Sequence, residues 1–381
     1  MMRGSGPDLD GVGSESVDLG ELRLEVRAFL VDELAAKSFV PSPDAWQASV
    51  DFEFSRRLAE RGWVGMTIPT EYGGRGRSNI ERFVVTEELL AAGAPVAAHW
   101  IADRQMGPGI LRNGTEEQKR RYLPGIAKAE LSFSIGMSEP DAGSDLAAVR
   151  TRAREVDNGW ELSGTKVWTS GAHFSTSMVV LARTDSCEDR HGGLTQFIVD
   201  LPQPGIDINP IRTIDGEHKF NEVVFKNAVI PTDALLGQRG SGWHQVTQEL
   251  ANERSGPERI LTTIPLLIEW ASTIARDDQV ALVEVGRLTA RASALRKMSM
   301  SVARKLESGG SPEVEAAVVK DLGTAFEGDL VETVRRLAKV GSTTERFETM
   351  LKQAQLHAPS FTLRGGSNEI LRSVVAKALV S

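Results

Sequence analysis

Few segments of this 381-residue chain could do chemistry. The stretch SEPDAGSDLAAVRT (138–151) holds a Ser/Gly/Asp turn, and such turns present backbone N–H groups and hydroxyls that can hold phosphate or ring acceptors. In SGTKVWTSGAH (163–173) Trp168 stands directly before Thr169 and Ser170. Taken singly, a Ser/Asp/Gly cluster is usually an exposed turn and a strand tryptophan is usually core. ELANERSGPERI (249–260) carries Glu249, Glu253 and Glu258, which by themselves read as a solvated helix face. Metal chemistry has no support: His99, His173, His191, His218, His244 and His357 lack ligand spacing, and Cys187 has no CxxC partner. No GxSxG or phosphate-binding Walker loop occurs.

These segments need a scaffold, and composition bounds it. With 41% hydrophobic and 25% charged residues the chain is ordinary globular protein, and at ~100–200 residues per unit two or three packed units are expected. Lys plus Arg total 44 against 52 acids, a net charge of −8, which argues against a basic nucleic-acid surface. One cysteine excludes an internal disulfide and favours a reducing compartment. No apolar run approaches the ~18 residues that span a bilayer. MMRGSGPDLDGVGSES lacks the apolar segment of a signal peptide, so a flexible tail over 1–18 and a cytoplasmic location are expected.

From 19 to 131 the apolar spacing is helical, with Leu22, Val26, Phe29 and Leu30 on one stripe. Gly62 is placed to end one helix and Thr115 to cap another. Over 132–243 short β-branched and aromatic runs alternate with Gly, Pro, Asn and Asp, the pattern of a small antiparallel sandwich or barrel, with a hairpin at Asp157–Gly159. From 244 to 381 the pattern is helical again, broken most clearly at SGGSP (308–312). The expectation is an α+β multidomain chain: N-terminal helical domain, middle β domain, C-terminal helical bundle.

Five segments in this order, SEPDAGSDLAAVRT, SGTKVWTSGAH, HKFNEVVFKNAVIP (218–231), LLGQRGSGW (235–243) and LRGGSNEILR (363–372), resemble the acyl-CoA dehydrogenase family of flavoproteins. The resemblance runs from about residue 20 to 378 and leans towards heteromeric bacterial members that act on steroid side chains. It implies FAD as cofactor. Met137 would contribute backbone and Ser138 a bond to the flavin ring, and the Gly143–Ser144 turn would lie by the pyrophosphate. Trp168 would pack on the flavin, with Thr169 and Ser170 at ring edges. Gly366, Ser367 and Glu369 would belong to the loop that closes over the cofactor.

The implied reaction is α,β-desaturation of an acyl thioester, which needs a carboxylate to take the α-proton while hydride leaves Cβ for flavin N5. Many members place that base directly before the Gly-Thr of the C-terminal loop, where this chain has Gly365. A minority, including isovaleryl-type enzymes, put a Glu-Arg pair on the first long C-terminal helix. Here the pair is Glu253–Arg254, with Glu253 the expected base, Arg254 its orienting partner and Glu258 the fallback.

By resemblance, the adenosine half of FAD is held by a neighbouring subunit through Arg-x-x-Phe-Gly and Gln-x-x-Gly-Gly segments. This chain has STIARDDQVALVEVG and RRLAKVGSTTERF at those places, with Arg276 the only nearby candidate. The implied partners are an acyl-CoA (or acyl carrier protein) substrate, an electron-transfer flavoprotein, and either a second copy or a related subunit that donates the missing segments. A non-catalytic or flavin-half-site subunit, and a family offshoot with other flavin chemistry, are the alternatives. Gly365 also hints at a branched or bulky acyl group.

Overall fold

The computed structural model describes residues 18–253, 256–338 and 344–380, with the backbone alone for 250–253. Seven helices open the chain: α1 (Leu19–Ala35), α2 (Ala45–Ala48), α3 (Phe52–Glu60), α4 (Asn79–Ala91), α5 (Ala97–Ile101), α6 (Gly107–Asn113) and α7 (Glu116–Ala127). Their ends follow local chemistry. Asp18 accepts from Gly20 N at 2.7 Å to start α1. Gly62, at φ 75°, lets Trp63 N reach back to Leu58 O after α3. Thr115 and Gln118 cap α7 reciprocally, each side chain accepting the other's amide. Between α5 and α6 the helix widens into a π turn at Ala102–Met106, just before Pro108, which has no N–H to give.

The middle segment forms β1 (Phe133–Gly136), β2 (Arg152–Val156), β3 (Gly159–Ser170), β4 (Ser177–Arg183), β5 (Leu194–Asp200), β6 (Ile206–Arg212), β7 (His218–Ile230) and β8 (Leu235–Leu236). They make one sheet in the order β6-β7-β3-β2-β4-β5-β8, with β1 beside β4. Of the expected sandwich or barrel it is the open form: β6 and β8 end the sheet and do not close on each other. Nor is it wholly antiparallel, since β1 and β2 both run parallel to β4. The hairpin is present, Val156 pairing with Gly159 across Asp157–Asn158. A Cβ on Gly159 would meet Ile230 O at 1.9 Å, which is why glycine stands there.

The rest is helical: α8 (Gly242–Glu253), α9 (Ile264–Thr273), α10 (Gln279–Glu307), α11 (Glu313–Leu337), α12 (Glu345–Phe361) and α13 (Asn368–Val380). The SGGSP break falls between α10 and α11. The two helical segments share one core, in which Leu22, Phe54 and Trp63 from the first meet Leu288, Phe326 and Phe361 from the second. The sheet buries its own cluster of Trp160, Phe197, Val223 and Phe225. Each such side chain contributes ~1.5–3 kcal/mol on burial, so the helical halves hold each other in place against the sheet.

Candidate active site

Strand β3 departs from regular strand backbone near its end. Its register against β7 slips between Lys166 and Thr169, a bulge, and Trp168 within it takes φ 57°. A left-handed tryptophan is disfavoured by ~1–2 kcal/mol, so the surrounding pairing must hold it there. The result is an indole 59% exposed, propped edge-on by Phe220 at 5.8 Å between centroids. Side chains alternate along a strand, so Ser170 shares that face while the Thr169 side chain is fully buried on the other. Thr169 therefore offers its backbone: its carbonyl accepts from Asn221 Nδ2 at 3.0 Å. The Thr169 hydroxyl has no hydrogen-bond partner among the described residues.

The segment before Ser138 is tied to the same bulge. Val167 N donates to Ser138 O at 2.9 Å. Beneath it lies a buried ion pair: Lys166 Nζ donates to Glu139 Oε1 at 2.8 Å and to Met137 O at 3.0 Å. Glu139 also accepts the amides of Arg150 and Thr151, at 2.6 and 2.9 Å. Burial alone would raise the Glu139 carboxyl, but Lys166 and these donors hold it below the usual range. Burial pulls Lys166 down to about 8 against the pull of Glu139, which leaves it charged at neutral pH. Met137 and Ser138, both half-buried, are thus pinned from below.

The connector between α12 and α13 is linked to this wall through α2. Gly365 and Gly366 both take left-handed φ, 69° and 91°. A side chain at Gly365 would add strain of ~1–2 kcal/mol, a local reason for glycine there. The short helix α2 bridges strand and connector. Gln47 Nε2 donates to Ser170 Oγ at 2.9 Å, leaving the Ser170 O–H free to donate outward, and Arg364 pairs with Asp44 at 2.8 Å. Arg364 also lies 4.5 Å from the Trp46 ring centre, with Arg259 over the same indole at 5.1 Å. His357 joins the junction, its Nε2 lying 2.6 Å from Lys219 Nζ and 2.9 Å from Asp215 Oδ2. Burial lowers the His357 pKa. Gly366 and Ser367 are half-buried and Glu369 is exposed at the start of α13.

The acids of the third segment correct one expectation. Glu249 and Glu258 are not solvated: Glu249 is buried against Gln196, whose amide lies 3.2 Å away, and Glu258 is buried with Arg104 at 3.3 Å. Both turn inward, Glu249 on α8 against β5 and Glu258, in the short turn Pro257–Arg259, against the π turn. Glu253 is the last residue of α8, its side chain lying outside the described residues, as does Arg254 altogether. Glu327 on α11, absent from the sequence reading, is fully buried and accepts Thr262 N at 2.8 Å. Burial pushes it up to about 8, overriding Arg364 and the Thr262 contact.

At the periphery, Gly143 and Ser144 are exposed on a turn with open space around Gly143. Arg276 is exposed between α9 and α10, and residues 339–343 of the expected second donor segment lie outside the described residues. Lys166, Glu139, Gln47 and Asp44 were not singled out from sequence. Strand parity is the signal that could have found Lys166, which follows buried Leu162 at even spacing before the bulge.

The exposed indole on a strained bulge, flanked by Ser138 and Ser170, is an aromatic wall with polar neighbours, and these residues fit a flavin ring. Comparison with known proteins agrees in extent. The acyl-CoA dehydrogenase N-terminal, middle and C-terminal domain families match residues 18–130, 134–228 and 240–380. Acyl-CoA dehydrogenase IpdE1 of Mycobacterium tuberculosis is 34% identical over 95% of this chain and 97% of its own length. Among solved structures, the Tcur3481-Tcur3483 steroid ACAD superposes with a TM-score of 0.83 at 28% identity, over 95% of this chain and 97% of that one. The ChsE4-ChsE5 complex from Mycobacterium tuberculosis gives 0.81 at 26%, over 97% and 98%.

Proposed function

We infer a flavin-dependent dehydrogenase of acyl thioesters, because the chain belongs to the acyl-CoA dehydrogenase family. The family activity is FAD-dependent dehydrogenation, and FAD is the proposed cofactor here. When bound, FAD supplies the hydride acceptor. Ser138 and Ser170 are proposed to orient the ring by hydrogen bonds, Trp168 to cover one face, and Gly143–Ser144 to meet the pyrophosphate. Gly366, Ser367 and Glu369 would close the opposite side. Glu253 is the proposed base for the α-proton, with Arg254 orienting it. Glu258 is a poorer choice than sequence suggests, since Arg104 already holds its carboxylate.

The observation that carries this reading is Trp168: a fold holds a left-handed, exposed tryptophan at some cost only where something packs on it. The eroded donor segments, with Arg276 exposed and unsupported by Phe-Gly, favour assembly with a related subunit. Two similar solved proteins, Tcur3481-Tcur3483 and ChsE4-ChsE5, are named as pairs of chains. An electron-transfer flavoprotein is the proposed electron acceptor. Among the described residues no helix is long and apolar enough to cross a membrane.

Anaerobic bleaching of the flavin by a panel of acyl-CoAs, with and without a candidate partner chain, tests the reading. Glu253→Gln should keep FAD and lose at least ~100-fold in bleaching rate, the lower range for losing a positioned base. Bleaching at the wild-type rate would move the base elsewhere. A protein that binds no FAD even with its partner would reduce it to the non-catalytic subunit.

A further inference from the structure

Lys320, in the first third of α11, is fully buried, although a lysine ammonium is among the costliest groups to remove from water. Its Nζ lies 2.7 Å from Gly366 O, 3.2 Å from Thr362 O and 2.7 Å from Asn368 Oδ1. An ammonium has three donors, and these oxygens can take all three. All three belong to one short stretch, the turn out of α12, the glycine pair and the first residue of α13. The Gly366 carbonyl is aimed at Lys320 by a backbone that is left-handed at both Gly365 and Gly366. The Thr362 carbonyl also accepts Asn368 N at 3.1 Å, which closes the stretch on itself above the lysine.

We infer that Lys320 is a positioning residue for the flavin site: it acts through the 362–368 connector, holding the Gly365–Gly366 backbone in the one conformation that can close over the cofactor. The inference rests on the functional reading above. It gives the glycine pair a reason beyond turning the chain, since glycine conformations and lysine oxygens are satisfied together or not at all. Thr324, one turn along α11, supplies the control. Within the connector its hydroxyl meets only the Asn368 side chain, 3.3 Å from Oδ1 and accepting from Nδ2 at 3.2 Å, and neither of the connector carbonyls that Lys320 holds.

The test compares Lys320→Met with Thr324→Val in the full chain, with its partner subunit where one is required, by FAD titration and by amide hydrogen exchange over 362–368. Lys320→Met should weaken FAD binding by at least ~10-fold and speed exchange in the connector, while Thr324→Val changes the FAD dissociation constant less than about twofold. Should Lys320→Met fail to fold, Lys320→Gln, whose amide can donate to two of the three oxygens, should show the same pattern at reduced size. Wild-type affinity and exchange in the lysine variants, or equal loss in Thr324→Val, would overturn the positioning role and leave the functional reading standing. Wild-type protein that binds no FAD with its partner present would overturn both.

Discussion

The two walls of the site are built on opposite plans. On the sheet side a strand bulge and a buried Lys166–Glu139 pair leave a rigid backbone with one aromatic side chain turned outward. On the helical side the irregular backbone is confined to the π turn and the Gly365–Gly366 connector, and buried polar side chains do the filling: Glu249, Glu258, Glu327, Arg259 and Lys320 all sit below a tenth exposed. The first plan writes itself into sequence as a motif, because backbone exceptions demand particular residues. The second does not, because buried charges look like surface charges until their partners are known.

Three tests sharpen or break that contrast. The largest effect should come from Lys166→Met. It leaves Glu139 buried without its cation, which typically costs ~3–5 kcal/mol, read as a loss of unfolding free energy in urea. Glu139→Gln in the same background should restore part of it. A Lys166→Met protein of unchanged stability would mean that the amides of Arg150 and Thr151 suffice and the sheet wall is not held from beneath.

The second probes the helical wall through pH. The Glu327 pKa rises from an ordinary carboxylate value to about 8 on folding, so the folded chain binds a proton the unfolded chain does not. That contribution is complete below about pH 4.5 and is lost as pH climbs to 8, at roughly 1 kcal/mol per pH unit. Glu327→Gln should flatten the dependence and leave the protein relatively more stable at pH 8 than at pH 5. Parallel urea curves for both proteins across that range would show the carboxyl to be ionised and paired.

The smallest effect separates Trp168→Gly from Trp168→Ala. At ordinary positions glycine is the less stable of the two by ~0.5–1 kcal/mol. At φ 57° the order should reverse by about 1 kcal/mol, while both variants lose affinity for FAD. An ordinary order would mean that the left-handed conformation relaxes once the indole is gone.

Legibility followed the same divide. The helix-β-helix order, the cap at Thr115, the hairpin and the SGGSP break were all readable, because each depends on contacts within a few residues. Ser138, Trp168 and Ser170 were readable as a group only through the family resemblance; in the structure Trp168 lies in the bulge, Ser170 follows it on β3, and Ser138 meets the bulge through its carbonyl on Val167 N. Thr169 shows the limit: adjacent letters in a strand face opposite ways, and the bulge sets which faces outward. The inward turn of Glu249 and Glu258 was not readable, since Gln196 and Arg104 lie 53 and 154 residues away. An open sheet with two parallel pairings was equally hidden, being set by which distant strands meet.

The junction at Asp44 bears on how the protein is made. Asp44 and its cation Arg364 are 320 residues apart. At ~5–20 residues per second a ribosome delivers the second roughly 15–60 s after the first. Until then Asp44 and Trp46 face a core whose other half does not exist, because α11 and α12 are still unsynthesised. The nascent chain must therefore carry its N-terminal helices in an unfinished state through most of translation. Moving the residues that follow the SGGSP break ahead of the first, as a circular permutant, should shorten that wait while leaving every helix of the finished fold whole.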